Sequence, residues 1–309
     1  RAWVAGVVVL LARTVTCPAE EEPLFTFMQF SDVHVGHDTN KPVHKRLVAA
    51  VKLANALKPS FVIDTGDMTT HPVYKANPEN LVELDEYREY VAHLTMPLYP
   101  LPGTHDSGYF EYTGSTYEKR CDLLIAADKK KIGPLKRSFT QQGFRFILFN
   151  NNPPLSGRPG HIAEETFEWI EGELKQGEKA FLFCHVQVVE NGMGPPWGDS
   201  ARRLVALCDE YGVVAVTYGH QHALHIKVLN GTKYIMCPDL KTAGHQGVLQ
   251  YRIFRDHWEL GLYDVFSQKG KRIGSYPVRV RSEESTERHV CAGISLTADP
   301  NAPSGLIAD

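Results

Sequence analysis

LFTFMQFSDVH, residues 24–34, decides the reading of this chain: an apolar-rich run that suits a buried strand leads directly into Asp32-x-His34. The same arrangement recurs along the sequence. Residues 60–64 precede Gly66-Asp67, residues 98–101 precede Gly103-Thr104-His105-Asp106, residues 179–184 precede a lone His185, and residues 213–216 precede Gly219-His220-x-His222. Strand ends carrying polar clusters converge on one edge of a sheet, and in open α/β sheets ligands bind outside the carboxyl ends of the strands. Asp32 and Asp67, together with the imidazoles of His34, His105, His185, His220 and His222, are therefore expected to form a polynuclear metal site.

Residue types and spacing support that expectation. In extended chain, residues i and i+2 share a face, so Asp32 with His34, and His220 with His222, are predicted to point the same way and chelate. A carboxylate offers two oxygens and can bridge two cations. Mixed imidazole and carboxylate donors suit Zn, Mn, Fe or Co without choosing among them.

The ordered set D-x-H, G-D, G-N-H-[D/E], H and G-H-x-H is the pattern of the calcineurin-like metallophosphoesterase superfamily, which residues 24–225 resemble. The resemblance implies an α/β fold, a four-layer α/β/β/α sandwich of two mixed sheets. It implies two divalent or transition metal ions, drawn from Mn, Fe and Zn. One would be held by Asp32, His34, Asp67 and His222, and the other by Asp67, His185, His220 and the family's Asn, which is Thr104 here. The implied reaction is phosphate-ester hydrolysis by a hydroxide that bridges the two cations. His105 would protonate the leaving alkoxide or stabilise charge on the phosphate, with Asp106 orienting its imidazole.

Thr104 departs from the family pattern. Its hydroxyl is shorter than an Asn amide and a poorer neutral donor to a cation, so either a water fills the gap or the second ion binds weakly. The alternative is a non-catalytic metal-binding or scaffold protein on the same fold. Purple acid phosphatases carry a Tyr ligand in the region of Met68, and protein Ser/Thr phosphatases keep an Asp where Thr70 stands. Those differences favour the phosphodiesterase branch, with cyclic nucleotides as one candidate substrate, over a phosphomonoesterase or protein phosphatase. The expected partner is a small-molecule phosphate ester.

Composition agrees with a globular enzyme. The chain has 309 residues, 33 Lys plus Arg and 36 Asp plus Glu, for a net charge of −3 with both signs scattered. Nothing in that balance suggests a nucleic-acid polymer or an anionic membrane as partner. Short basic runs at 129–131 and 269–272 read as solvated loops. The six cysteines include no C-x-x-C pair and predict no zinc knuckle and no disulfide. Cys184, Cys208 and Cys237 fall in apolar contexts, while Cys121, Cys237 and Cys291 would be the candidates for one bridge in an exported protein.

Residues 2–12 are apolar behind Arg1 and are followed by a small and polar segment. Residues 1–22 thus resemble a secretory signal peptide lacking its first residues, too short to span a bilayer. Export to a periplasm or the extracellular space is expected, with Cys17 offering lipid attachment as an alternative. The expected division is this segment, a catalytic domain over 23–280, and a polar tail over 281–309. Helical spacing predicts helices over 42–57, 78–94, 163–174 and 200–211, the last closed by Gly212. Asn230-Gly231 between residues 224–229 and 232–237 predicts a type I′ hairpin. Another pair is expected at 248–254 and 258–265. Among other residues near the motifs, His71 and His225 are expected nearest the substrate, with His37 and His245 on the surface or behind the ligands, while Trp197 and Tyr218 could line the pocket but as loop aromatics are expected to pack.

Overall fold

The computed structural model describes residues 21–37, 42–70, 78–107, 133–152, 160–190, 194–196, 198–244, 247–278, 294–298 and 306–308. Residues 1–20, the basic run 129–131, Cys121, Cys291, His71, Trp197 and His245 lie outside the described residues.

Period-two patterning builds the architecture. In β1 (Phe25–Phe30), Phe25 and Phe27 enter one apolar cluster, while Met28 and Phe30 enter another on the opposite face. Strands β2 (Phe61–Asp64), β5 (Phe144–Phe149) and β6 (Lys179–Phe183) divide their side chains in the same way, with apolar residues on both faces. A strand that is apolar on both sides must be covered on both. The result is a four-layer α/β/β/α sandwich.

One sheet has the order β12-β11-β10-β1-β2-β3, with β3 (Leu98–Pro100), β10 (Gly247–Ile253), β11 (His257–Asp264) and β12 (Gly270–Pro277). The other runs β14-β13-β8-β9-β7-β6-β5-β4, with β4 (Lys136–Gln141), β7 (Ala215–Tyr218), β8 (His225–Leu229), β9 (Thr232–Met236), β13 (Ile294–Ala298) and β14 (Leu306–Ala308). Both sheets are mixed. β1, β2 and β3 run parallel, as do β5, β6, β7 and β9, whereas β10 to β12 are antiparallel to their neighbours and β8 is antiparallel to β9. Asn230 and Gly231 both have positive φ, 46° and 86°, as the type I′ turn requires.

Aromatic rings fill the space between the sheets. Phe27 stacks on Tyr251 at 4.3 Å between centroids and meets Phe146 edge-on at 5.2 Å, so first-sheet and second-sheet rings interlock. Helices α1 (Pro42–Leu57) and α2 (Pro78–Val91) cover the first sheet. Their counterparts on the second are α4 (Glu164–Leu174) and α5 (Gly198–Glu210), and a single turn, α3 (Thr104–Ser107), follows β3. Cys184, Cys208 and Cys237 are buried free thiols, and Tyr218 packs in the core as expected. No helix among the described residues is long and apolar enough to cross a membrane.

Candidate metal centre

The loops after β1, β2, β3, β6 and β7 bring the motif residues together, but not through extended chain. Asp32, His34, Asp67, His220 and His222 all have positive φ, between 51° and 79°. Left-handed backbone costs roughly 1–2 kcal/mol per non-glycine residue, and Asp and His are among the residues that tolerate it best. The expected strand-like sharing of a face by i and i+2 is therefore corrected: Asp32 and His34, like His220 and His222, sit on tightly turned chain. Such turns need close backbone approach. A Cβ at Gly219 would overlap Ser31 Oγ and Asp32 Oδ2, and one at Gly103 would overlap the backbone nitrogen and carboxylate of Asp67.

Donor atoms of Asp32, His34 and His222 lie within 4.8 Å of one another, as do those of Asp67, His185 and His220, and those of His34, Asp67 and His105. Asp67 joins the groups. Its Oδ2 is 3.7 Å from His34 Nε2 and 3.2 Å from His185 Nε2. His220 Nδ1 is 3.3 Å from His185 Nε2, and His222 Nε2 is 3.3 Å from Asp32 Oδ1.

Tautomers follow from the partners on the far side of each ring. A carbonyl oxygen only accepts, so His185 Nδ1–H donates to Thr65 O at 2.9 Å, which leaves Nε2 as the atom that could face a cation. His105 Nδ1–H likewise donates to Thr70 O at 2.7 Å. Thr70 is itself anchored, through its N–H to Glu83 of α2 and its hydroxyl to His34 O.

Charge is arranged around these atoms. Burial acts to raise the Asp32 and Asp67 carboxyls, but contacts with His222 and with His185 respectively prevail and hold both well below the usual carboxylate range. Burial acts to lower His185 and His222, yet Asp67 lifts His185 to about 9, while Asp239 and Asp32 lift His222 to about 10. Burial pushes His34 down to about 3 despite the pull of Asp67, and pushes His220 down to about 4 with help from the charge of His185.

The donor set fits divalent cations. His34 is 1% exposed, yet neither of its ring nitrogens has a hydrogen-bond partner. An unsatisfied buried polar group costs about 1–3 kcal/mol, so a neutral, orphaned imidazole between two carboxylates is chemically suited to a cation.

One expectation changes. Asp106 does not contact the His105 ring. Its carboxylate accepts from Met68 N, Thr69 N, Thr69 Oγ1 and Gly103 N at 2.8–3.2 Å, tying the loop after β2 to the loop after β3. Its influence on His105 thus passes through the backbone that ends in Thr70 O. Thr104 is buried beside Asp67, but its hydroxyl lies 3.3 and 3.2 Å from the two Asp67 oxygens and donates to that carboxylate.

Three contributors escaped the sequence reading. Thr65 O and Thr70 O are backbone groups with no residue-type signature. Asp239 Oδ2 lies 3.1 Å from His222 Nδ1. It follows directly after β9, so the rule that flagged polar residues at strand ends could have found it.

Fold and donor geometry together define a metallophosphoesterase, and the chain belongs to the calcineurin-like phosphoesterase family, whose model matches residues 25–224. A probable glycerophosphodiester phosphodiesterase GpdQ from Arcobacter nitrofigilis is 26% identical over 289 residues, spanning 81% of this chain and 95% of that protein. The fold is also similar to a dimetal phosphatase from Danio rerio, with a TM-score of 0.59 and 15% identity over 84% of this chain and 99% of that one. The purple acid phosphatase PPD1 from yellow lupin has a TM-score of 0.62 at 15% identity, over 83% of this chain and 54% of that one.

Proposed function

We propose that the protein is a metal-dependent phosphodiesterase acting on small phosphodiesters. The observation that carries this reading is Asp67 Oδ2, one oxygen set between His34 Nε2 and His185 Nε2. One ion would be held by Asp32, His34, Asp67 and His222, and a second by Asp67, His185 and His220 with Thr104 beside them. When bound, such a pair of ions makes water nucleophilic at neutral pH and neutralises charge on a phosphate.

The protein's own residues supply the rest. Ser31 Oγ donates to Asp32 Oδ2 at 2.6 Å and His220 N donates to the same carboxylate at 3.0 Å, which aims Asp32. His105 N donates to Asp67 Oδ1 at 2.7 Å. Because His105 Nδ1–H is committed to Thr70 O, Nε2 is the atom that delivers a proton to the departing alkoxide. Diesters are favoured by the name of the GpdQ relative, which points to glycerophosphodiesters as the first substrates to try, with cyclic nucleotides next. Residues 2–12 support export as part of the same reading, and cell fractionation that leaves the chain in the cytoplasm would remove that element.

The test is metal analysis with turnover. Protein loaded with Mn or Zn is expected to hold close to two ions and to hydrolyse bis(p-nitrophenyl) phosphate faster than p-nitrophenyl phosphate, with activity lost in His105→Ala. Loading without turnover of glycerophosphodiesters, cyclic nucleotides or monoesters would overturn this reading in favour of a non-catalytic metal-binding protein, the alternative that Thr104 supplies.

A further inference from the structure

We infer that Asp239 is a positioning residue of the metal centre: its carboxylate holds the Nδ1–H of His222 and thereby commits Nε2 of that ring to the ion shared with Asp32 and His34. This rests on the reading of His222 as a ligand.

His222 stands between two carboxylates. Nε2 is 3.3 Å from Asp32 Oδ1, on the side of His34, while Nδ1 is 3.1 Å from Asp239 Oδ2, on the side away from the other donors. A neutral imidazole has one N–H, and a carboxylate can only accept it. Proton placement on Nδ1 therefore leaves the Nε2 lone pair for a cation, as Thr65 O does for His185. The difference is charge. An anionic acceptor makes the ring a stronger donor to a metal than a backbone carbonyl does.

Asp239 is also held too firmly to be a chance surface neighbour. It is fully buried, whereas His222 is 24% exposed. Oδ1 accepts from Thr242 N at 2.7 Å and Oδ2 accepts from Thr242 Oγ1 at 2.8 Å. Gly247 N donates to Asp239 O, and Leu240 N lies 3.3 Å from both Ser31 O and Asp32 O. Arg46 of α1 clamps the same loop, donating to Leu240 O at 2.6 Å and to Lys241 O. One segment therefore grips the backbone of Asp32 and the side chain of His222, which belong to different sheets.

Substitution gives a specific outcome. In Asp239→Asn, keeping the Thr242 N bond on the amide oxygen places an N–H donor against His222 Nδ1. The ring must then carry its proton on Nε2, the ligating atom. Turning the amide over sacrifices the Thr242 bond instead.

The experiment is a titration of metal-free protein with Co(II), followed by visible absorption against a competing chelator, and NMR of the imidazole protons after Zn(II) loading. The parent is expected to bind two ions and to show a downfield, slowly exchanging proton on His222 Nδ1. Asp239→Asn is expected to weaken one ion by about 10 to 100-fold, the range for loss of such partners, to leave the other unchanged, and to lose that proton signal. Thr242→Val, which keeps the carboxylate but removes the hydroxyl that helps hold its Oδ2 against His222, should weaken the same ion measurably, by less than tenfold. Parent-like affinity for both ions in Asp239→Asn overturns the inference. If that variant fails to fold, by circular dichroism of the metal-free protein, unchanged affinity in Thr242→Val overturns it. A parent that binds no Co(II) refutes instead the reading of the site itself.

Discussion

Loading the protein with metal at neutral pH should expel protons, and the number follows from the site. In the metal-free state, Asp32 and Asp67 are ionised because their histidine contacts hold them far below neutrality. His185 and His222, lifted to about 9 and about 10, carry their protons at pH 7, while His34 and His220, depressed to about 3 and about 4, do not. A cation needs the lone pair of Nε2 on each protonated ring, so binding both ions must release at least two protons, one from each group of donors. The sign is fixed by the raised values. Protons compete with metal at every pH below about 9, so affinity climbs as pH rises. One proton per ion means about tenfold in affinity, or 1.4 kcal/mol, per pH unit, and about 100-fold between pH 6 and 8. Calorimetric titration of Zn(II) into metal-free protein, in two buffers of different ionisation enthalpy, reads the proton count directly. Release of fewer than one proton for two ions, or an affinity that is flat from pH 6 to 8, refutes the assignment of His185 and His222 as protonated ligands in waiting.

Thr104→Asn removes the hydroxyl that donates to Asp67 and presents an amide oxygen in its place. It should tighten the ion shared by Asp67, His185 and His220 by about tenfold or more, and an unchanged metal titration would show that position 104 does not face that ion. Gly219→Ala drives a Cβ into Ser31 Oγ and Asp32 Oδ2, so it should cost about 1–3 kcal/mol of stability and weaken the ion at Asp32. A parent-like melting temperature and metal affinity would refute that close approach. Asp64→Asn addresses stability against pH. Burial raises the Asp64 carboxyl to about 7, although Gly66 N and Tyr87 OH donate to it. A raised acid binds its proton in the folded state when the unfolded chain has lost it, so stability falls as pH climbs from about 4 through about 7. The interval from 3.8 is worth at most about 4 kcal/mol. Urea unfolding at pH 5 and 8 should show that slope in the parent and a flatter one in the variant, and equal slopes would refute it.

Local chemistry explains what could be read from the sequence. The helix over 42–57 is bounded by Pro42 at its first turn and Pro59 beyond its end, and α1 spans Pro42–Leu57. Both hairpin strands and the Asn230-Gly231 turn carried period-two patterning with a turn residue that tolerates positive φ. β12 was not foreseen, because Gly270–Pro277 lies beside β11 at the end of its sheet with mostly exposed or half-exposed side chains and shows little apolar alternation. The pairing of β1 with β10 joins segments more than 200 residues apart, which no local pattern encodes. Candidate metal-binding residues were legible because metals demand particular atoms. Ligand conformations were not, since the positive φ of Asp32, His34, Asp67, His220 and His222 is imposed by surrounding chain on residues that would not choose it alone.

What imposes that conformation extends into the sandwich itself. Gln29 sits on the inner face of β1 at a position that alternation would fill with an apolar residue. Its Oε1 accepts the hydroxyls of Thr217 at 2.6 Å and Tyr251 at 2.7 Å, from β7 and β10, so it ties both sheets together. Its amide donates to Thr65 Oγ1 at 3.1 Å. Thr65 Oγ1 lies 2.8 Å from Ser31 Oγ, which donates to Asp32 Oδ2 at 2.6 Å. With Thr65 donating to Ser31, every proton in the series from Gln29 onward points toward the site, and the series ends on an anion, the only group in it that has no proton to pass on. Such a chain stabilises Asp32 as a carboxylate and fixes its orientation. Tyr251 begins the series and also stacks on Phe27 in the aromatic core. Packing between the sheets and the aim of the Asp32 carboxylate are therefore linked through the same side chains, which joins the buried interior of this fold to the candidate metal centre.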